Sequence, residues 1–164
     1  RLISQLTGGG QEKGLRSGTE NVPGILGFAA AAKGAMENLD ANGAHWRNLQ
    51  DRLIAKLEPI PDMFINGSPL ADAPHIVNVG FIGVRGEVLL HALAQRDVFV
   101  ATGAACSSRR HISSRVLNAM GISPHIAEGS IRISFGEGTT PAEVDRAAEV
   151  IHSSVAELRQ FQRS

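Results

Sequence analysis

The chain contains a single cysteine, Cys106, within ATGAACSSRRH (Ala101 to His111). Gly103, Ala104, Ala105, Ser107 and Ser108 surround it, and so small a set of side chains buries little apolar surface. The segment therefore reads as an exposed loop. Arg109 and Arg110 follow closely, and nearby cations favour thiolate, the nucleophilic form, over thiol. Two readings stand at this point, an inert small residue and a reactive thiolate. His111 lies near enough in sequence to serve as a base, but adjacency assigns it no role. Arg132, in GSIRISFG (Gly129 to Gly136), is the second candidate. Alternation there sets Ser130, Arg132 and Ser134 against Ile131, Ile133 and Phe135, as on a half-buried strand. An arginine projecting from such a strand is either a surface cation or a bidentate clamp for a carboxylate.

A third stretch, LTGGGQEKGLRSGTENVPG (Leu6 to Gly24), suggests phosphate without matching a nucleotide motif. Gly9 and Gly14 have P-loop spacing, but Leu15 and Arg16 occupy the positions of Lys and Ser/Thr. Gly8 and Gly10 begin a dinucleotide fingerprint that would need glycine at Lys13. The six histidines (His45, His75, His91, His111, His125 and His152) include no pair at metal-ligand spacing, so no zinc site is expected. No G-x-S-x-G nucleophile elbow occurs.

The elements that must position these residues follow from periodicity and punctuation. Residues 1–20 read as a loop. Asn21 caps an alanine-rich helix from about Val22 to Asn38, with Pro23 in its first turn. After Asp40 to Gly43 (DANG), the residues Trp46, Leu49, Leu53 and Leu57 recur at helical spacing, and the two segments together suggest one long kinked helix. Beyond Pro61 strands and helices alternate. Met63 to Asn66, His75 to Phe81, Val98 to Thr102 and the Arg132 segment read as strands. Gly86 to Arg96 and Ser113 to Met120 read as helices, the latter ending with Gly121 at C′. In the last helix Thr140, Pro141 and Glu143 spell a capping box, followed by a stripe of Val144, Ala147, Ile151, Val155 and Leu158.

Composition narrows the function classes. The 164 residues are 43% hydrophobic, enough for one domain with a core. Lys plus Arg and Asp plus Glu both number 16, so net charge is zero. No nucleic acid or anionic membrane partner held by bulk electrostatics is expected. No apolar run reaches membrane-spanning length and no leader is visible. One cysteine allows no internal disulfide and suits a reducing cytoplasm. The chain opens on Arg1 rather than Met and is expected to be a piece of a longer polypeptide.

Four stretches taken in order (GGGQEKGLRSGTENVPG, VRGEVLLHAL, TGAACSSR and GSIRISFGEGTT) resemble the C-terminal half of the cysteine desulfurases. These are class V aminotransferases, fold-type I enzymes that use pyridoxal 5′-phosphate (PLP). The resemblance covers essentially the whole chain. It implies an α/β (α+β) fold, the small C-terminal domain of such an enzyme: a few-stranded sheet covered by helices, with a long connecting helix. Residues 1–21 would be a cross-subunit loop of a large PLP domain absent from this chain, 22–59 the connecting helix, and 60–164 the small domain.

The roles follow position by position from the same resemblance. Cys106 matches the catalytic cysteine, which takes sulfur from cofactor-bound L-cysteine and leaves alanine and a persulfide. Arg132 matches the arginine that grips the substrate carboxylate. Thr19 matches the threonine that reaches the cofactor phosphate of the neighbouring subunit in a homodimer, with Gly8 to Gly10 and Arg16 shaping the loop. A sulfur-acceptor protein is the implied partner. Two departures stand out. Ala101 and Ala104 occupy positions where the family often has serine. The lysine that anchors PLP lies upstream in the family, and Lys13, Lys33 and Lys56 do not match its motif, so this chain alone is expected to be inactive. Selenocysteine lyase and cysteine sulfinate desulfinase are neighbouring activities. A non-catalytic persulfide carrier or docking module is the alternative of another class.

Overall fold

The computed structural model describes residues 3–68, 73–102 and 114–161, which divide into two units, 1–40 and 41–164. In the first, a 3-10 turn at Gln11–Gly14 precedes helix α1 (Val22–Glu37). Asn21 caps α1 as expected, its side chain accepting from Gly24 N at 3.1 Å. The helix ends at Asn38, whose N–H and side-chain amide both donate to Gly34 O. Helix α2 (Leu39–Leu57) starts immediately, so Asp40 to Gly43 lie inside it rather than marking a break. One glycine does not stop a helix when Leu49, Leu53 and Leu57 bury its next turns.

The second unit is built on a three-stranded antiparallel sheet in the order β1 (Met63–Ile65), β2 (Ile76–Phe81), β3 (Ser130–Ser134). The register sets Asn78 opposite Arg132 and Gly80 opposite Ser130. Period-two alternation buries Val77, Val79, Phe81, Ile131 and Ile133 on one face. They join one core with Leu49, Leu53 and Leu57 of α2, Leu89 and Leu93 of α3 (Gly86–Ala94), and Val144, Ile151 and Val155 of α6 (Pro141–Phe161). Each such side chain, fully buried, contributes about 1.5–3 kcal/mol.

The stretch Val98 to Thr102, expected to be a strand, pairs with the sheet only at Ala101. The turn at Asp97 takes a positive φ of 60°, and the chain beyond it leaves Phe99 80% exposed, so it reaches the sheet edge only at its end. Helix α4 (Arg115–Ala119) is capped by Ser114 and closed by Gly121, with Ile122 N donating to Leu117 O and Gly121 N to Asn118 O. That pattern is a Schellman motif. A further short helix, α5 (Pro124–Glu128), follows the cap Ser123 and was not foreseen. Thr140 and Glu143 form the expected capping box on α6. Its buried stripe runs through Ala148 rather than Ala147 and includes Ser154, whose hydroxyl accepts from Arg96.

Candidate active site

Arg132 stands on the sheet face opposite the core, with Ser130 and Ser134 as its neighbours along the strand. Its N–H donates to Ala101 O at 2.6 Å and its carbonyl accepts from Ala101 N at 3.0 Å. The guanidinium is exposed and forms no hydrogen bond or ion pair with the described residues.

The end of the strand is fastened on several sides. Phe135 N donates to His75 O at 2.8 Å. From α2, Trp46 Nε1 donates to Gly136 O at 3.1 Å and Asn42 donates to Glu137 Oε1 at 2.9 Å. His45 Nε2 lies 2.9 Å from Thr139 O, and because a carbonyl only accepts, that nitrogen carries the proton. The Trp46 and His75 rings tilt together at 5.3 Å. Arg132 is thus an exposed cationic tip on a strand fastened at its end, where a carboxylate could reach it.

Two asparagines that sequence reading did not single out share this face. Asn66 Nδ2 donates to Asn78 Oδ1 at 2.7 Å and to Ser130 Oγ at 2.9 Å. Ser130 Oγ donates to Ile126 O at 2.7 Å. Asn66 and Asn78 also border an open cavity of about 240 Å³, with Gln50, Ile76 and Met120 on its walls. The alternation of Ile76, Asn78 and Gly80 was a visible signal for the face, but not for what stands across from it.

The described chain leaves the sheet at Ala101 and Thr102 and resumes at Ser114, the α4 cap. Cys106, Arg109, Arg110 and His111 lie between, outside the described residues. Cys106 is five Cα–Cα steps along the chain from the Ala101 that pairs with Arg132, a span of at most about 18 Å.

Thr19 belongs to the first unit. There Arg16 Nη1 donates to Thr19 O at 2.6 Å, Ser17 Oγ to Gly9 O at 2.7 Å, and Gly18 N to Gln11 Oε1 at 3.3 Å. These bonds give the glycine loop a shape of its own. The Thr19 hydroxyl is exposed and makes no hydrogen bond to a described residue, so it suits an anionic phosphate. The lysines do not suit the covalent end of PLP. Lys33 pairs with Glu37 on the surface, Lys56 pairs with Asp145, and Lys13 is exposed. Thr19 thus offers a hydroxyl donor to an anion, whereas two of the three lysines are already engaged by carboxylates. Among the described residues no three His, Cys, Asp or Glu side chains gather as a metal would require, and no helix is long and apolar enough to cross a membrane.

A three-stranded antiparallel sheet backed by helices and carrying an outward arginine defines a mixed α/β domain, and its sequence places it: the chain belongs to the aminotransferase class-V family, which matches residues 3–147. Among curated proteins it is 40% identical over 161 residues to the cysteine desulfurase IscS of Photorhabdus laumondii, covering 98% of this chain and 39% of that protein. With the cysteine desulfurase IscS of Neisseria meningitidis serogroup C the identity is 41% over the same shares. A solved NifS-like protein superposes with a TM-score of 0.80 at 36% identity, over 94% of this chain and 39% of the other. The resemblance seen in the four motifs is therefore borne out, and the chain spans about two fifths of the length of the curated relatives it matches.

Proposed function

We propose that the chain is the C-terminal part of a PLP-dependent cysteine desulfurase. It would act in the cytoplasm as a homodimer, converting L-cysteine to L-alanine and passing sulfur from Cys106 to an acceptor protein for iron–sulfur cluster assembly or transfer-RNA thiolation. The observation that carries this reading is Arg132: an exposed guanidinium, without a partner among the described residues, on an anchored strand bonded through its backbone to the residue from which the cysteine segment departs. Residues 1–21 are assigned to a loop that completes the neighbouring subunit's site, 22–59 to the connecting helix, and 60–164 to the small domain.

The division of labour follows from the residue types. PLP, held elsewhere in the full-length protein and at its phosphate by Thr19 of the other subunit, supplies the electron sink. Arg132 binds the substrate carboxylate through paired N–H groups and so orients the substrate. The Cys106 thiolate attacks the substrate sulfur. An S–S bond forms as the Cβ–S bond breaks, its electron pair goes to the substrate carbon, and that carbon takes up a proton to end as alanine. Arg109 and Arg110 favour the thiolate at the start and the anionic persulfide at the end.

In the full-length protein, Cys106→Ala is expected to abolish persulfide formation from L-cysteine while leaving cofactor absorbance intact. Retained sulfur transfer in that variant would remove Cys106 from its role. The 164-residue chain mixed with PLP should show no lasting covalent chromophore; a stable one, lost on mutating a single lysine, would overturn the assignment of the anchoring lysine to a part of the protein outside this chain.

A further inference from the structure

The orientation of Asn78 is fixed by a chain of hydrogen bonds that starts at a backbone carbonyl. Ile126 O can only accept, so the one hydroxyl hydrogen of Ser130 is committed to it at 2.7 Å. The 2.9 Å contact between Ser130 and Asn66 must then be donated by the Asn66 amide. The same NH2 group faces Asn78 at 2.7 Å, so Asn78 must present its oxygen there. Two NH2 groups cannot bond to each other, and the Asn78 NH2 is therefore turned away from Asn66. It makes no hydrogen bond to a described residue. Gly80 makes the arrangement possible, because a Cβ there would lie 2.8 Å from the Ile126 carbonyl that orients the series.

What stands on the other side of Asn78 is Arg132. Both backbone groups of Arg132 bond to Ala101, and the backbone carbonyl of Asn78 accepts from Asn66 N. Asn78 and Arg132 thus form a non-hydrogen-bonded pair of the antiparallel ladder, whose Cα atoms lie about 4.5 Å apart and whose side chains share a face. A neutral NH2 donor beside a guanidinium adds a hydrogen bond for an anion without adding charge.

Building on the reading of Arg132 as the carboxylate clamp, we propose that Asn78 donates a further hydrogen bond to the same substrate carboxylate and that Asn66 is the residue that positions it. The Asn66–Ser130–Ile126 series sets the direction of the amide, so it acts through Asn78 rather than on the substrate.

The test uses the full-length protein with its cofactor, and calorimetric titration with L-alanine and with ethylamine, the same amine without the carboxylate. Asn78→Ala is expected to weaken L-alanine about 10-fold, the worth of one hydrogen bond to a charged group, and to leave ethylamine unchanged. Asn66→Asp supplies a second route. An acceptor-only side chain turns the Asn78 NH2 inward and its oxygen outward, so L-alanine should again weaken selectively in a variant whose thermal unfolding remains cooperative. Unchanged L-alanine affinity in both variants, or equal losses for both ligands, would overturn the proposal. Arg132→Ala separates this failure from that of the underlying reading. If Arg132→Ala leaves L-alanine binding intact, the clamp itself is wrong; if it weakens L-alanine while Asn78→Ala does not, only the role of Asn78 falls.

Discussion

Helices α1 and α6 are both long and both start from a recognisable cap, yet they are written differently. In α6, Val144, Ala148, Ile151 and Val155 fall on one side and are buried, while charged residues take the other. In α1 the apolar residues go all the way round, and none is buried: Leu26 is 65% exposed and Phe28 78%. Composition makes α1 the more apolar helix, but only the phase in α6 says which side to bury. The same contrast separates the units that hold them. Residues 41–164 hold a contiguous core, whereas the first unit has no buried residue among those described. A capped helix with Pro23 in its first turn needs no core to take its shape, but it gains little stability by doing so.

The largest consequence lies in amide exchange of the 164-residue chain. Amides of Val79 and Ile131, at the centre of the sheet, should exchange only through opening of the whole second unit, which costs about 5 kcal/mol or more. Amides from Gly8 to Thr19 sit in exposed turns and should exchange more than about 1,000-fold faster. Strong protection across Gly8 to Thr19 would break the comparison, since it would reveal structure there that exposure does not record.

A pair of phenylalanines gives the next effect. Phe81 is fully buried in the core, and Phe81→Ala should cost about 3–5 kcal/mol in chemical denaturation. Phe28→Ala removes the same atoms from an exposed helix face and should stay within about 0.5 kcal/mol. Equal losses at the two positions would mean that α1 is covered in the folded chain.

What could be read beforehand divides along the same line between local and distant information. Asn21, Thr140 with Glu143, and Gly121 were legible because a cap is decided within a few residues. The face carrying Arg132 was legible because alternation is a property of one strand. Val98 to Thr102 has a strand's composition, but a strand exists only where a partner accepts its hydrogen bonds, and only Ala101 finds one. Ala147 and Ala148 differ by one step of about 100° on the helix, a phase that packing decides. The five residues of α5 are too few for periodicity, although Ser123 followed by Pro124 is a start signal. The site shows the same limit. Arg132 could be named from its motif, whereas Asn66, twelve residues from Asn78, joins it only once β1 pairs with β2 in the observed register.

The smallest expected effect concerns ion pairs, and it again sets one unit against the other. Arg52 donates to both carboxylate oxygens of Asp145, at 2.6 and 2.7 Å, and Lys56 lies 3.3 Å away, tying α2 to α6. The Arg52 hydrogen bonds hold the Asp145 carboxyl down to about 2, below the ordinary aspartate value of about 3.9. A lowered pKa in the folded state means that the stabilisation is complete above the ordinary value and fades as pH falls from about 4 towards 2. Asp145→Asn should therefore flatten the loss of stability across that window. Part of the slope should remain, because Thr140 N–H also holds Glu143 below its usual range. The pair is partly exposed, so its effect should shrink further in 1 M NaCl. In the first unit Lys33 and Glu37 stand 3.8 Å apart with both side chains mostly in solvent, and Lys33→Ala should leave the acid unfolding curve unchanged. An Asp145→Asn curve that overlays the parent between pH 4 and 2, at low salt, would show that the geometry of the Arg52 pair is not maintained in solution.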